Sequence, residues 1–363
     1  MTSYEQRLQE DLDRIGQQIE SVSEKIRRNL HNAIYSLLTG DRDLANKAIL
    51  GDLRVNRRIR DIDHQCLVFV VRHLPTAGHL RYVTATRRLT VELERIGDYG
   101  VSIGRATVQL SAPPPTSVLK DIEMMADHAE RMLEASMRAF LDGNADEARG
   151  VRSLAGQMDS TYRRAIDDLI REGERSSRPF SDLLATFVVM NRLERVNDQS
   201  KNICEETVFA VTGEAKPPKV YDVLFLDERN SCLSKLAEAI ARRDYPCSGR
   251  YSSAGWSPAA EMDASCLRFI ESRGLEVKST EPQPLQPIHD ALADFEIIIS
   301  LQGDARPFIP TLPFQTVLLE WDVGPPIDEA TPEEVDAMLE RAHDALTARL
   351  QDLIHTIRGR EAD

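Results

Sequence analysis

Residues 193–198 read LERVND, and residues 93–98, one hundred positions earlier, read LERIGD. In a helix, positions four apart lie on one face a turn apart, so Glu94 stands beside Asp98 and Glu194 beside Asp198. Apolar residues at helical spacing flank each pair: Val91, Ile96 and Ile103 in the first, Leu193, Val196 and Ile203 in the second. Each oxygen-rich face should therefore border a helix-packing core, where it can hold a cation. The bland alternative is a solvated face on which the four carboxylates pair with Arg88, Arg95, Arg192 or Arg195.

The chain around both hexapeptides is helical and duplicated. Leu8, Leu12, Ile15, Ile19, Val22 and Ile26 recur at three- and four-residue spacing, which predicts a first helix from Tyr4 to about Leu38. Gly40 stops it and Asp41 caps a second helix that runs to about His73. Pro75 and Gly78 break the chain before a third helix, which carries LERIGD. After Pro113-Pro114-Pro115, which cannot be helical, the pattern restarts. Helices are predicted at 118–141, from after Asn144 to about Glu172, and at 181–211 with LERVND. The turn GDRDLANKAI (40–49) matches GNADEARGVR (143–152). This is an internal duplication of a three-helix unit.

Composition frames the rest. A chain of 363 residues with 42% hydrophobic content predicts two or three soluble domains. The longest apolar run, Cys66 to Val71, is far below the roughly 18 residues of a membrane span, so no membrane insertion is expected and the location is read as cytoplasmic. Five cysteines without a Cys-x-x-Cys pair fit reduced thiols. Residues 1–220 carry 32 Lys plus Arg against 33 Asp plus Glu, whereas residues 221–363 carry 13 against 26. So acidic a C-terminal part repels phosphate backbones, and no nucleic-acid partner is expected.

LERIGD and LERVND, each closing the third helix of a duplicated unit, resemble the signature of the PhoU family of phosphate-uptake regulators across residues 1–212. The resemblance implies all-α tandem three-helix bundles (1–110 and 116–212), often paired into a homo-oligomer through an exposed helix face. It also implies a divalent or ferric metal ion held by acidic clusters. A further implication is a role restraining a phosphate-specific ABC transporter or its sensor histidine kinase. In the family each second helix adds an acidic pair; the matching positions here are Asp52 and Asn56 in the first repeat, Ala155 and Asp159 in the second. The implied metal ligands are thus Asp52, Asn56, Glu94 and Asp98, then Asp159, Glu194 and Asp198. Hard cations want several oxygen ligands, so the second set is the poorer.

Thr212 to Val220, with Gly213 and two prolines, reads as a linker (213–220). Beyond it the pattern changes. VLFLD (223–227) is a buried strand, SKLAEAIARR (234–243) a helix, and further strands are predicted at 276–280, 295–300 and 316–321, with helices near 259–273 and at 332–357. Alternation of this kind predicts a parallel sheet covered on both faces. VLFLDERNSCLSKLAEAI, SSAGW, FEIIIS and WDVGPP, in this order, resemble the low-molecular-weight protein tyrosine phosphatase and arsenate reductase family along 221–357. A flavodoxin-like α/β domain (221–363) is implied.

Against that family's pattern, the catalytic Cys falls on Asp227, the phosphate-gripping Arg on Leu233 and the late general acid on Pro325. Arg229, Asn230, Cys232 and Ser234 complete the degenerate phosphate loop. A carboxylate is a poor nucleophile for this cycle and repels the anion. Leu233 offers no guanidinium grip, and without an acid at 325 the leaving oxygen departs unprotonated. The expectation is a pseudophosphatase. Two hypotheses follow: a regulator of phosphate uptake and signalling with an inactive sensor or docking module, or an active phosphatase or arsenate reductase, with Cys232 as the substitute thiol, targeted by the helical part.

Overall fold

The computed structural model describes residues 3–216, 218–309, 311–313, 316–324 and 332–359. The chain forms two compact units, Met1–Lys216 and Pro217–Asp363. The first is helical: α1 (Ser3–Thr39), α2 (Arg42–His73), α3 (Ala77–Gln109), α4 (Thr116–Leu141), α5 (Ala145–Ser153), α6 (Gln157–Arg175) and α7 (Phe180–Thr212). The spacing seen in the sequence is the buried stripe of α1, where Leu8, Ile15, Ile19, Val22, Ile26 and Leu30 all lie inside. One apolar core runs through both repeats, joining Leu30, Leu89 and Leu93 of the first to Val118, Met125, Val189 and Leu193 of the second. The two repeats therefore bury each other's apolar faces and share one unit.

The turns are built as the sequence indicates. Asp41 Oδ1 accepts the Leu44 N–H at 2.9 Å and caps α2. Asn144 Oδ1 accepts the Glu147 N–H at 3.0 Å and caps α5. Both side chains satisfy an amide that has no partner inside its helix. The second repeat departs from expectation in one respect: its middle helix is two helices, α5 and α6, separated at residues 154–156. Gly156, a poor helix former, stands at the N-cap of α6 without a side-chain cap.

The second unit is α/β. Strands β1 (Tyr221–Asp227), β2 (Gly249–Gly255), β3 (Ile297–Ser300) and β4 (Val317–Glu320) form one sheet in the order β2-β1-β3-β4. All three pairings are parallel. Helices α8 (Leu233–Asp244), α9 (Ala264–Ser272) and α10 (Pro332–Arg358) and two short 3₁₀ turns complete it. The sheet is buried on both faces: Val223, Phe225 and Ile299 pack with Leu236, Ile240 and Leu339 on one side, while Leu224, Leu226 and Ile298 pack with Leu285 and Leu292 on the other. Two sequence expectations are corrected. Residues 276–280 are not a strand, and the strand beside β1 is instead GRYSSAG (249–255), which the sequence reading did not include among the strands. Ser253 in it is buried because its hydroxyl donates to Glu238 Oε2 of α8 at 2.6 Å.

Candidate functional site

Helices α2 and α3 meet at the first acidic cluster. Asp52 is only 7% exposed. Its Oδ2 accepts a hydrogen bond from Asn56 Nδ2 at 2.7 Å, one turn along α2. Its Oδ1 has no hydrogen-bond partner, and neither has Asn56 Oδ1. This approach needs Gly97, the fifth residue of LERIGD: a Cβ there would stand 2.7 Å from Asp52 Oδ1. Burial, and then the charges of Asp98 and Glu94, push the Asp52 carboxyl above its ordinary value. Glu94 is half-buried and Asp98 exposed. At this first cluster, two arginines of the bland alternative pair with other acids. Arg95 pairs with Glu92 at 3.5 Å and Arg88 with Glu206 at 3.4 Å. Carboxylate and amide oxygens are the donor type that a hard cation takes, but Asp52, Glu94 and Asp98 are not grouped closely enough here to form a metal site.

The second cluster, between α7 and the α5–α6 junction, is built from different residues, but it too holds a buried carboxylate oxygen and a buried amide oxygen without hydrogen-bond partners, Glu194 Oε2 and Asn197 Oδ1. Glu194 is 9% exposed, and burial together with Asp198 pushes its carboxyl up to about 7. Arg195 reaches both acids, with Nε 3.3 Å from Glu194 Oε2 and Nη1 3.1 Å from Asp198 Oδ2. Asp159 lies exposed on α6, and the position matching Asp52 is the buried Ala155. Asn197, where the first hexapeptide has glycine, is 2% exposed, and its Nδ2 donates to the Ala155 carbonyl at 3.0 Å. That donor set does not fit a hard cation. Among the described residues, no three His, Cys, Asp or Glu side chains stand close enough to hold a metal ion.

The loop that follows β1 is the third candidate. Asp227 ends the strand at 3% exposure, and both its oxygens face loop amides. Oδ1 accepts the Asn230 N–H at 2.5 Å and Oδ2 the Ser234 N–H at 2.8 Å. The carboxylate thus sits at the N-terminus of α8, where free amides and the helix dipole favour negative charge. Burial nonetheless pushes its pKa up, opposed by those two amides and by Lys235. Asn230 holds the loop's bend in the left-handed region (φ 48°), which asparagine tolerates. Its side chain donates to Ser234 Oγ at 2.8 Å and accepts the Gln283 N–H at 2.7 Å. Gly255 closes the loop from β2, since a Cβ there would lie 2.8 Å from the Asn230 nitrogen.

The other loop residues point away from chemistry. Leu233 is buried in the apolar core between sheet and helices. Cys232 lies in the same core, where burial and the adjoining Cys266 thiol raise its pKa well above the ordinary value, so it is a protonated packing residue. Lys235 turns inward and donates to the carbonyls of Ser279 and Glu281, at 3.0 and 2.9 Å. Arg229 is exposed. Pro325 lies outside the described residues. The sequence reading missed Gly97, Asn197, Gly255 and Gln283. The signal for the first two was in hand, as the single hexapeptide position that changes from Gly to Asn.

A duplicated helical bundle with paired carboxylates, followed by a parallel sheet with a phosphate-loop turn after its first strand, defines a two-part protein. The chain carries a PhoU domain, matched at residues 19–107 and 122–207, and a low molecular weight phosphotyrosine protein phosphatase domain, matched at 222–357. Its relatives include the phosphate-specific transport system accessory protein PhoU of Serratia marcescens, 29% identical over 204 residues, which cover 56% of this chain and 84% of that protein. A PhoU homolog of Clostridium acetobutylicum is 24% identical over 205 residues, 56% of this chain and 94% of that one. In fold, the chain is similar to the crystal structure of PhoU from Pseudomonas aeruginosa, with a TM-score of 0.55 and 24% identity over 57% of this chain and 99% of that one. The phosphate transport system regulatory protein PhoU from Streptococcus pneumoniae gives 0.54 and 23%, over 59% and 99%. Among the described residues no helix is long and apolar enough to cross a membrane.

Proposed function

We propose that this protein is a cytoplasmic regulator of phosphate uptake and phosphate-responsive signalling. Its helical unit engages a phosphate-specific ABC transporter or the associated sensor histidine kinase, and its α/β unit is a non-catalytic docking or sensing module. The observation that carries the reading is a duplicated PhoU domain joined to a phosphatase loop whose own Asp227 carboxylate takes the Asn230 and Ser234 amides. A phosphoryl group would have to displace a buried carboxylate to reach them, and would then meet Leu233 in place of a guanidinium. Five unpaired cysteines suit a reducing compartment.

The same reading gives the first repeat a divalent or ferric cation, held by Asp52, Asn56, Glu94 and Asp98. The cation would neutralise carboxylates that burial otherwise destabilises. Two experiments test the function. Affinity capture of the tagged chain from phosphate-replete and phosphate-starved cells should recover transporter or kinase components, with a yield that changes with phosphate; no phosphate-dependent partner would count against the regulatory role. Assays with p-nitrophenyl phosphate and arsenate should show no turnover. Activity that disappears on Cys232→Ser would establish an enzyme instead.

A further inference from the structure

We propose that the outer ridge of α2, with the neighbouring edge of α1, is a peripheral docking surface for an anionic phospholipid bilayer, its cations taking headgroup phosphates and its leucines entering between them. The surface belongs to the first repeat and acts whichever protein partner the helical unit engages.

A packed helix hides its large apolar side chains, and the inner stripe of α2 does so with Val55, Ile59, Ile62, Cys66 and Phe69. The outer ridge exposes them. Leu50 and Leu53 are 68 and 71% exposed, Leu67 is 43% exposed, and Val71 and the cap residue Leu74 are 78 and 79% exposed. Helical spacing puts all five on one side of α2, over a length of about 36 Å. Between the two apolar groups stand Arg54, Arg57, Arg58 and Arg60, all exposed.

Helix α1 adds to this charge. The two helices lie antiparallel and close: Arg58 Nη1 donates to Ser21 Oγ at 3.2 Å, and a Cβ on Gly51 would come within 3.0 Å of the Asn29 side chain. That register brings Lys25 and Arg28 up to Arg54 and Arg58. Burial, and then Arg58, Arg28 and Arg54, hold the Lys25 ammonium below its ordinary pKa. Among the described residues, none of Lys25, Arg28, Arg54, Arg57, Arg58 and Arg60 forms an ion pair. Of the acids on α2, Asp52 is buried and Asp63 pairs with Arg87 at 2.8 Å, which leaves only Asp43 and Asp61. Other acids of the unit gather between α1 and α4, where Asp13, Glu20, Glu24, Glu134 and Asp142 line a groove.

Like charges held this close are costly unless an anionic partner meets them. Two copies placed ridge to ridge would add to the repulsion, so the charge disfavours self-pairing. A discrete anion site needs donors that converge on a point, whereas these cations fan out along a ridge and share it with leucines. Apolar side chains alongside cations are the composition of a helix lying in a bilayer interface, where each cation near the surface strengthens attachment about fivefold.

The test is flotation of the full chain with vesicles of phosphatidylcholine alone and of phosphatidylcholine and phosphatidylglycerol in equal parts. Binding to the mixed vesicles alone is expected, weakening as sodium chloride is raised. Arg54→Gln combined with Arg57→Gln should lower the partition coefficient more than about tenfold. Leu50→Ser combined with Leu53→Ser should lower it about tenfold at unchanged charge. All four side chains are exposed, so the thermal midpoint of both variants should stay close to that of the unaltered chain. No binding to the mixed vesicles at low salt, or binding that survives both double substitutions, would overturn the proposal. So would a loss confined to the arginine variant, which would mean adsorption by charge without entry of the leucines. Release by inorganic phosphate beyond that by sodium chloride of equal ionic strength would mark a discrete anion site instead. A dimer in sedimentation that Leu53→Glu splits would give the ridge to a second copy.

Discussion

At Gly97 two effects of similar size oppose each other. Alanine favours a helix interior over glycine by about 1 kcal/mol. A Cβ at that position, however, presses on the buried Asp52 Oδ1. The stability of Gly97→Ala should therefore change by no more than about 1 kcal/mol, the propensity gain offsetting the crowding. Mn²⁺ affinity should fall at least tenfold because the carboxylate must turn away. Urea denaturation and metal titration of the same variant check both; a variant that loses stability and keeps the ion would show that Asp52 is a packing residue. Glu194 gives a second test. Its pKa is raised to about 7, above its ordinary value of 4.5, so the folded state binds the proton more tightly than the unfolded chain. Stability then falls as pH rises from about 4.5 to 7. Glu194→Gln should melt like the unaltered chain near pH 5 and higher than it at pH 8. Equal midpoints at both pH values would show that Arg195 compensates the charge fully. All seven acidic and amide positions were legible from spacing and resemblance, but which oxygens lack partners was not. That depends on contacts between residues 52 and 97 and between 155 and 197, far apart in sequence.

Among the elements, the helices announced themselves and the strands only in part. Period-3.6 runs such as the 37 residues of α1 and the 26 of α4 leave little choice, and the caps Asp41 and Asn144 mark the starts of α2 and α5. Asp41→Ala should cost about 1 kcal/mol, because the Leu44 amide then has only water as a partner. A thermal midpoint that does not move would mean that α2 is positioned by packing alone. By contrast β2 (GRYSSAG) is too polar to announce itself as a buried strand. It is a strand because its backbone completes β1 along seven registered pairs and because Glu238 satisfies Ser253. EVKST at 276–280 alternates like a strand, but no free sheet position takes it up. Instead the carbonyls of Ser279 and Glu281 receive the Lys235 ammonium, which anchors the start of α8 from beside the phosphate-type loop. The broken α5–α6 helix was hidden for a related reason: its interruption is stabilised by an Asn197 amide from another helix.

At the scale of the molecule, the two units have separate cores and sharply different charge, so they should unfold as separate cooperative transitions. The sequence supplies the means to tell them apart. Both tryptophans, Trp256 and Trp321, lie in the α/β unit, one stacked 4.7 Å from Phe308 and the other buried in the sheet core. Intrinsic fluorescence therefore follows that unit, while circular dichroism at helical wavelengths is dominated by α1 to α7. A ligand that binds only the native state stabilises it by about 2.7 kcal/mol at one hundred times its Kd. In a unit of this size that is a rise of roughly 5–10 °C. Mn²⁺ should raise the dichroism transition by this order and leave the fluorescence transition in place. Inorganic phosphate or tungstate should move neither, because the amides that would receive an oxyanion already hold the Asp227 carboxylate. A fluorescence transition that climbs with phosphate would mean that the carboxylate gives way and the loop senses the anion directly, whereas an unmoved one makes the α/β unit a surface whose shape does not depend on phosphate.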